Sequence, residues 1–379
     1  MKAYLMKAFR FAASSGVAVT LLFLLLVLVF FGTIEQVNQG LYDVQKKYFE
    51  SAFVVHWLFG TIPLPLPGAY LLMGLLSVNL FCGGILRAPK HWRKPGLLIA
   101  HGGILYMVFA GFVTFHYSTN GYMTLYENEK SDAFESHYEW ELVIAETEGR
   151  KREFVIPASD FSELKRGRAR MFHAAGLPFE VIVHDFISNA APVTDDHGVD
   201  GARLTEQPPE KETEQNAPGL YADVKQKDGK ILQGIVWAWA RGPWVATVDG
   251  QDYAFALRHR RWNVPFVITL DKFTRELHPG TQMASNFQSN VTLSENGVSR
   301  KILIKMNEPL RHLGYTFFQS SWGPQNAGPN TPLYSQFAVV KNPADQWPLY
   351  STCIITLGLT IHFLQKLIGY LRTENRRRA

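Results

Sequence analysis

Four apolar runs limit what this chain can become more than any other feature. Each is close to the roughly 20 residues a helix needs to cross a hydrocarbon core: Val17 to Ile34, Leu64 to Leu86, Gly96 to Phe115 and Leu349 to Ile368. A polar stretch of about 230 residues separates the third from the fourth. The apolar and polar material is therefore segregated, which points to a multi-pass membrane protein with a large extramembrane domain. The first run, VAVTLLFLLLVLVFFGTI, is longer than a signal-peptide core and no small-x-small cleavage site follows it, so it reads as a retained helix.

Orientation follows from Lys and Arg near the helix ends. Lys2, Lys7 and Arg10 precede the first run; Arg87, Lys90, Arg93 and Lys94 join the second to the third; Arg372, Arg376, Arg377 and Arg378 close the sequence. With four spans all three clusters share one side, expected to be the cytoplasm. Both termini then face the cytoplasm, and residues 35–63 and the large domain lie outside. These clusters also account for the basic excess behind the net charge of +5, so no nucleic-acid role is expected. The two cysteines, Cys82 and Cys353, fall near opposite membrane faces and are not expected to pair.

Three regions follow: 1–115 with three membrane helices, 116–346 as the extracytoplasmic domain, and 347–379 with the fourth helix and a basic tail. Within 35–63, Leu41, Val44, Tyr48, Ala52 and Val55 recur at helical spacing, predicting an amphipathic interfacial or packing helix. Pro63, Pro65 and Pro67 break the chain before the second membrane helix. From Tyr117 onward, short β-branched and aromatic segments alternate with turn signals such as SENG. The domain is thus expected to be mainly β, a sandwich or open barrel. Residues 189–219 have few large apolar residues and read as a mobile insertion.

One residue does not fit an ordinary membrane helix. His101, in GLLIAHGGILYMVFAGF, puts a titratable ring inside hydrocarbon, which implies a function and a partner. It lies roughly 8 to 9 Å inside the Lys94/Pro95 boundary at 1.5 Å per residue. Gly102 and Gly103 beside it permit close approach of another helix or of a flat macrocycle. His362, in GLTIHFLQK, sits at a similar depth in the fourth helix. From the residues alone His101 is either a haem ligand or a packed histidine hydrogen-bonded to a neighbouring helix, and His362 either its second ligand or an interfacial residue. No other histidine pair has metal-site spacing, and no nucleophile constellation such as GxSxG is present.

Several stretches carry a likeness: FGTIEQVNQGLYDVQKKYF, KPGLLIAHGGI, VPFVITLDKFTRELHPG, MNEPLRHLGYTFFQSSW and SQFAVVKNPADQWPLY. Their order and placement resemble the ResB/CcsB family of cytochrome c biogenesis proteins, the partner of CcsA in System II. The resemblance implies a bacterial cytoplasmic (inner) membrane protein. It would act with a CcsA-type haem-handling protein to carry haem b across the membrane and deliver it to apocytochrome c; a thiol reductant protein is a further candidate partner. It makes His101 similar to the family's transmembrane haem ligand. The tryptophan-rich WWD segment of the partner is missing here, since WAWARGPW does not match it. No enzymatic activity is expected of the chain alone. Two other readings stay open: a membrane-anchored haem b electron-transfer subunit using His101 and His362, and a non-haem scaffold binding an envelope protein.

Overall fold

The computed structural model describes residues 1–88, 95–147, 152–278, 280, 284–324 and 331–378. Of the basic cluster expected between the second and third spans, Lys90, Arg93 and Lys94 lie outside the described residues; Arg87 lies within them. Two compact units are present: Met1–Thr119 with Asn342–Ala379, and Asn120–Lys341.

The first unit opens with α1 (Lys2–Ala12) and α2 (Ser15–Glu35). Then come α3 (Leu41–Val44), prolonged by a π-helical turn Gln45–Phe49, and a hairpin of β1 (Phe53–Leu58) and β2 (Ile62–Pro67). Next are α4 (Ala69–Leu80), prolonged by a π-helical turn Phe81–Leu86, and α5 (Pro95–Tyr117). The short α6 (Ala158–Phe161) belongs to the second unit, and α7 (Trp347–Arg378) returns to the first. Among the described residues four helices are long and apolar enough to cross a membrane: Ser15–Glu35, Ala69–Leu86, Pro95–Tyr117 and Trp347–Arg378.

Three local features depart from the sequence expectation. A break at Ala13 and Ser14 separates the basic α1 from the first span. Ser14 Oγ accepts from Val17 N–H at 3.3 Å, and Asn79 of α4 donates to the carbonyls of Ala12 (2.6 Å) and Ser14 (3.0 Å). These bonds satisfy backbone groups that a helix end exposes. Helical structure between the first two spans covers only Leu41–Phe49; the residues expected to continue it form the hairpin, in which Val54 and His56 point inward and their neighbours outward. Prolines 63, 65 and 67 accordingly sit in a strand, and the second span begins at Ala69 rather than Leu64.

The second unit is made of strands: β3 (Thr119–Tyr126), β4 (Lys130–Glu146), β5 (Glu153–Pro157), β6 (Ala169–Phe172), β7 (Glu180–Ile187), β8 (Ala190–Val199), β9 (Ala202–Glu206), β10 (Gly219–Lys225), β11 (Ile231–Trp237), β12 (Trp244–Val248), β13 (Gln251–Leu277), β14 (Ala284–Glu295), β15 (Val298–Lys305), β16 (Leu310–His312), β17 (Tyr315–Gly323) and β18 (Tyr334–Lys341). Eight of them follow the path β15-β14-β13-β4-β3-β18-β17-β16. Because β15 returns against β16 and β17, the path is a nearly closed barrel. Phe134, Ile268, Leu270, Val291, Phe317 and Phe337 are among the side chains that form its core.

The expected sandwich is present as well. The first half of β13 and the second half of β4, flanked by β12 and β5, pack on a second sheet of order β11-β10-β7-β6. Leu142, Ile144, Val181, Val183, Leu220 and Phe255 belong to this second core. Both cores therefore share β4 and β13. The stretch expected to be a mobile insertion holds a hairpin, β8 with β9, whose Ala190 and Leu204 are buried. The SENG signal becomes the two-residue turn Asn296–Gly297, with φ of 48° and 79°, between β14 and β15.

Candidate functional site

On α5, Gly96, Ala100 and Gly103 recur at intervals that place them on one helix face. They meet Ser351, Ile355, Gly358 and the backbone of His362 on α7. A Cβ on Gly358 would stand 2.5 Å from the Ala100 nitrogen, and one on Gly96 2.5 Å from the Gly358 carbonyl oxygen. Ser351 Oγ donates to the Gly103 carbonyl at 2.8 Å. This is the small-residue seam that lets membrane helices approach backbone to backbone.

His101 is rotated by roughly 130° from the middle of that seam at 3.6 residues per turn. Its half-buried ring meets the end of the preceding span instead: Nδ1 lies 3.1 Å from the Gly84 carbonyl oxygen. A carbonyl can only accept, so Nδ1 carries a proton, and in the neutral ring it is Nε2 that has the lone pair. Gly84 is required here, because a Cβ would stand 2.7 Å from Nδ1. Gly103 packs on Ile355 in the seam, whereas no atom lies within 4 Å of the position a Cβ on Gly102 would take. His362 is half-buried, its backbone pressed against Gly96 and its ring edge-on to Phe363 at 5.7 Å. Among the described residues no hydrogen bond or ring contact joins it to His101.

A second polar group in the first unit was not foreseen. Glu35, at the end of α2, receives the Tyr48 hydroxyl and the Lys47 ammonium, the latter at 2.5 Å. His56 Nδ1 lies 2.6 Å from the Tyr48 hydroxyl and 3.3 Å from Glu35, and its ring stacks on Phe31 at 4.3 Å. Tyr48 is fully buried; burial, followed by its bond to Glu35, pushes its pKa well above the usual range, so it remains a donor. Phe31, Glu35, Lys47 and Tyr48 stand in the quoted FGTIEQVNQGLYDVQKKYF stretch. His56 arrives through the inward face of β1, which helical spacing could not reveal.

In the second unit, His137 and His259 meet where the β4–β13 register slips between the sandwich and barrel parts. Trp140 stacks on His259 at 4.0 Å, and Tyr122 lies 4.8 Å from His137 and 6.1 Å from His259. His259 Nδ1 is buried without a hydrogen-bond partner. Burial lowers the pKa of both histidines, with Glu135 partly opposing it at His259 and Glu214 at His137. Burial and Glu135 push Tyr122 up to about 12. His312 is held by Glu295 at 2.8 Å, and His184 lies between Asp185 and Asp223. Among the described residues no group of three or more His, Cys, Asp or Glu could hold a metal ion.

Residues 241–331 match the model of the ResB-like family, a stretch running from just before β12 through β17. This stretch, about a quarter of the chain, is similar to the ResB-like family. The match contains VPFVITLDKFTRELHPG and MNEPLRHLGYTFFQSSW, two of the segments that carried the likeness in the sequence. It lies within the second unit, while His101, Gly102, Gly103 and His362 belong to the first. A comparison with curated proteins finds no match. The match associates that stretch with a family of cytochrome c biogenesis, and the chain as a whole has the layout of a multi-pass membrane protein with a large soluble β domain.

Proposed function

We propose that this ResB-like chain is the CcsB-type subunit of a haem exporter and cytochrome c synthase, working with a CcsA-type partner and delivering haem b to apocytochrome c. His101 is the residue that holds haem in the membrane. The observation carrying this reading is the bond from His101 Nδ1 to the Gly84 carbonyl. Metal-bound histidines commonly give their second ring N–H to a carbonyl or carboxylate, which fixes the tautomer and turns the other nitrogen toward the metal. The open space at Gly102 suits the approach of a flat macrocycle on the same turn.

Haem supplies an iron that takes two axial ligands, and a pair of imidazoles closes it to oxygen. His101 offers one. His362 belongs to the seam face and His101 does not, which favours a second ligand from the partner over an intramolecular pair and therefore export over electron transfer. Positive-inside reasoning puts the β domain and the 35–63 segment outside and both termini in the cytoplasm of a bacterial inner membrane.

The test is His101→Ala in the complex with its CcsA-type partner. The expected result is normal insertion and partner binding, lowered haem content and lost cytochrome c assembly, partly restored by added imidazole, with His362→Ala much milder. Equal, severe defects in both variants would favour the electron-transfer reading. Full activity of His101→Ala would reduce the ring to packing and favour a scaffold.

A further inference from the structure

The β1–β2 hairpin presents an exposed apolar face. Register pairs Phe53 with Pro67, Val55 with Pro65 and Trp57 with Pro63, so these six side chains share one side. Phe53, Val55 and Trp57 are 76%, 45% and 53% exposed, and Phe59 at the turn is 94% exposed. The opposite side is occupied: Val54 is in the core with Val44, Tyr48 and Leu72, and His56 is in the Glu35 network. No charged residue occurs from Ser51 to Gly68.

We infer that this face lies flat in the membrane interface, at the boundary between headgroups and acyl chains, and anchors the polar network beneath it. Three observations choose lipid as the occupant. The hairpin leaves the end of one span, Glu35, and enters the start of the next, Ala69, so it emerges at the bilayer surface. Its strands have six residues each, too short for the roughly 9 to 11 that a strand needs to cross. A two-stranded sheet also has open edges, which hydrocarbon does not tolerate but a hydrated interface does.

The prolines complete the argument. Proline has no N–H, so Pro63, Pro65 and Pro67 occupy the positions of β2 that make no ladder bond to β1 and whose N–H would otherwise point to the open edge. That edge has lost the donors that would seek water or another strand. An aromatic, uncharged surface with Trp57 at its centre suits the interface, where tryptophan is enriched.

The experiment uses the full chain in lipid nanodiscs, with Cys82→Ser and Cys353→Ser as background and an environment-sensitive NBD label on Val55→Cys. Val298→Cys, exposed at the β14–β15 turn, is the control. The label at 55 should be blue-shifted and quenched roughly twofold more by lipids with a spin label near the headgroup than by those labelled near the chain end, as expected for a face only 5–10 Å deep. The label at 298 should be unaffected. Absence of quenching at 55 would overturn the proposal, a water-like spectrum then naming solvent as the occupant and a blue-shifted one another protein chain. Strongest quenching near the chain end would overturn it too, by placing the hairpin in the hydrocarbon core.

Discussion

Nδ1 of His101 lies 3.1 Å from the carbonyl oxygen of Gly84, so the orientation of an intramembrane ring on α5 is set by the last turn of the span before it. The carbonyls of a helix's last turn lack intrahelical donors, and the imidazole N–H satisfies one of them. Ring and helix end thus stabilise each other.

Gly84→Ala is expected to displace the ring, because the added carbon would stand 2.7 Å from Nδ1 and 2.9 Å from Leu80 Cδ1. Losing an orienting contact of this kind typically weakens metal binding about 10- to 100-fold. Haem content per purified complex, with His101 untouched, checks this; unchanged haem content would show that the carbonyl does not orient a ligand.

Gly358→Leu should separate α5 from α7, since even a Cβ would stand 2.5 Å from the Ala100 backbone nitrogen. Overpacking of this sort costs about 1–3 kcal/mol. Thermal denaturation in detergent should show a lower midpoint than Gly369→Leu, a position with open space around it on the same helix.

Tyr48→Phe removes the hydroxyl that Glu35 and His56 share. A buried acceptor deprived of one donor costs about 1–3 kcal/mol. The variant should unfold at lower temperature, and pairing it with Glu35→Gln should cost less than the sum of the two single changes because the residues form one network. Strict additivity would argue that the network is not coupled.

His259 gives the second unit a pH dependence of known sign. Burial depresses its folded pKa below the ordinary 6.5, with Glu135 opposing and His137 adding to the shift. Below 6.5 the unfolded chain takes up the proton first, so this contribution to stability is present above that pH and is lost as pH falls through the depressed folded value. His137 acts in the same direction. Chemical denaturation of the full chain from pH 7.5 to 5 should show falling stability, with a shallower slope in His259→Gln.

What the sequence makes legible follows from how far each signal reaches. Membrane spans announce themselves through length and apolarity, and alternating β segments through period two, so four spans and a mainly β domain, a sandwich or an open barrel, were accessible; that the domain combines the two was not. His101 stood out because a polar ring in hydrocarbon is costly wherever it occurs. Its partner did not, because a backbone carbonyl has no residue-type signature. Around Ala52 to Val55 the helical and strand periods overlap for a few residues, and the three prolines read as breakers when they belong to an edge strand. Leu204 and Ala190 were hidden for another reason: a mostly polar segment needs few apolar anchors to fold back on its neighbours.

The sharing of β4 and β13 between the two cores has a consequence for dissection of the protein. The segment that matches the family, 241–331, carries β12 to β17 but neither β4 nor β18. Cut out alone, it would leave β13 without its neighbour on one side and β17 without its own on the other. Two long raw edges lined with core side chains are a template for aggregation. The region most recognisable by family is therefore not an autonomous module, and a soluble fragment for binding studies has to run from Asn120 through Lys341.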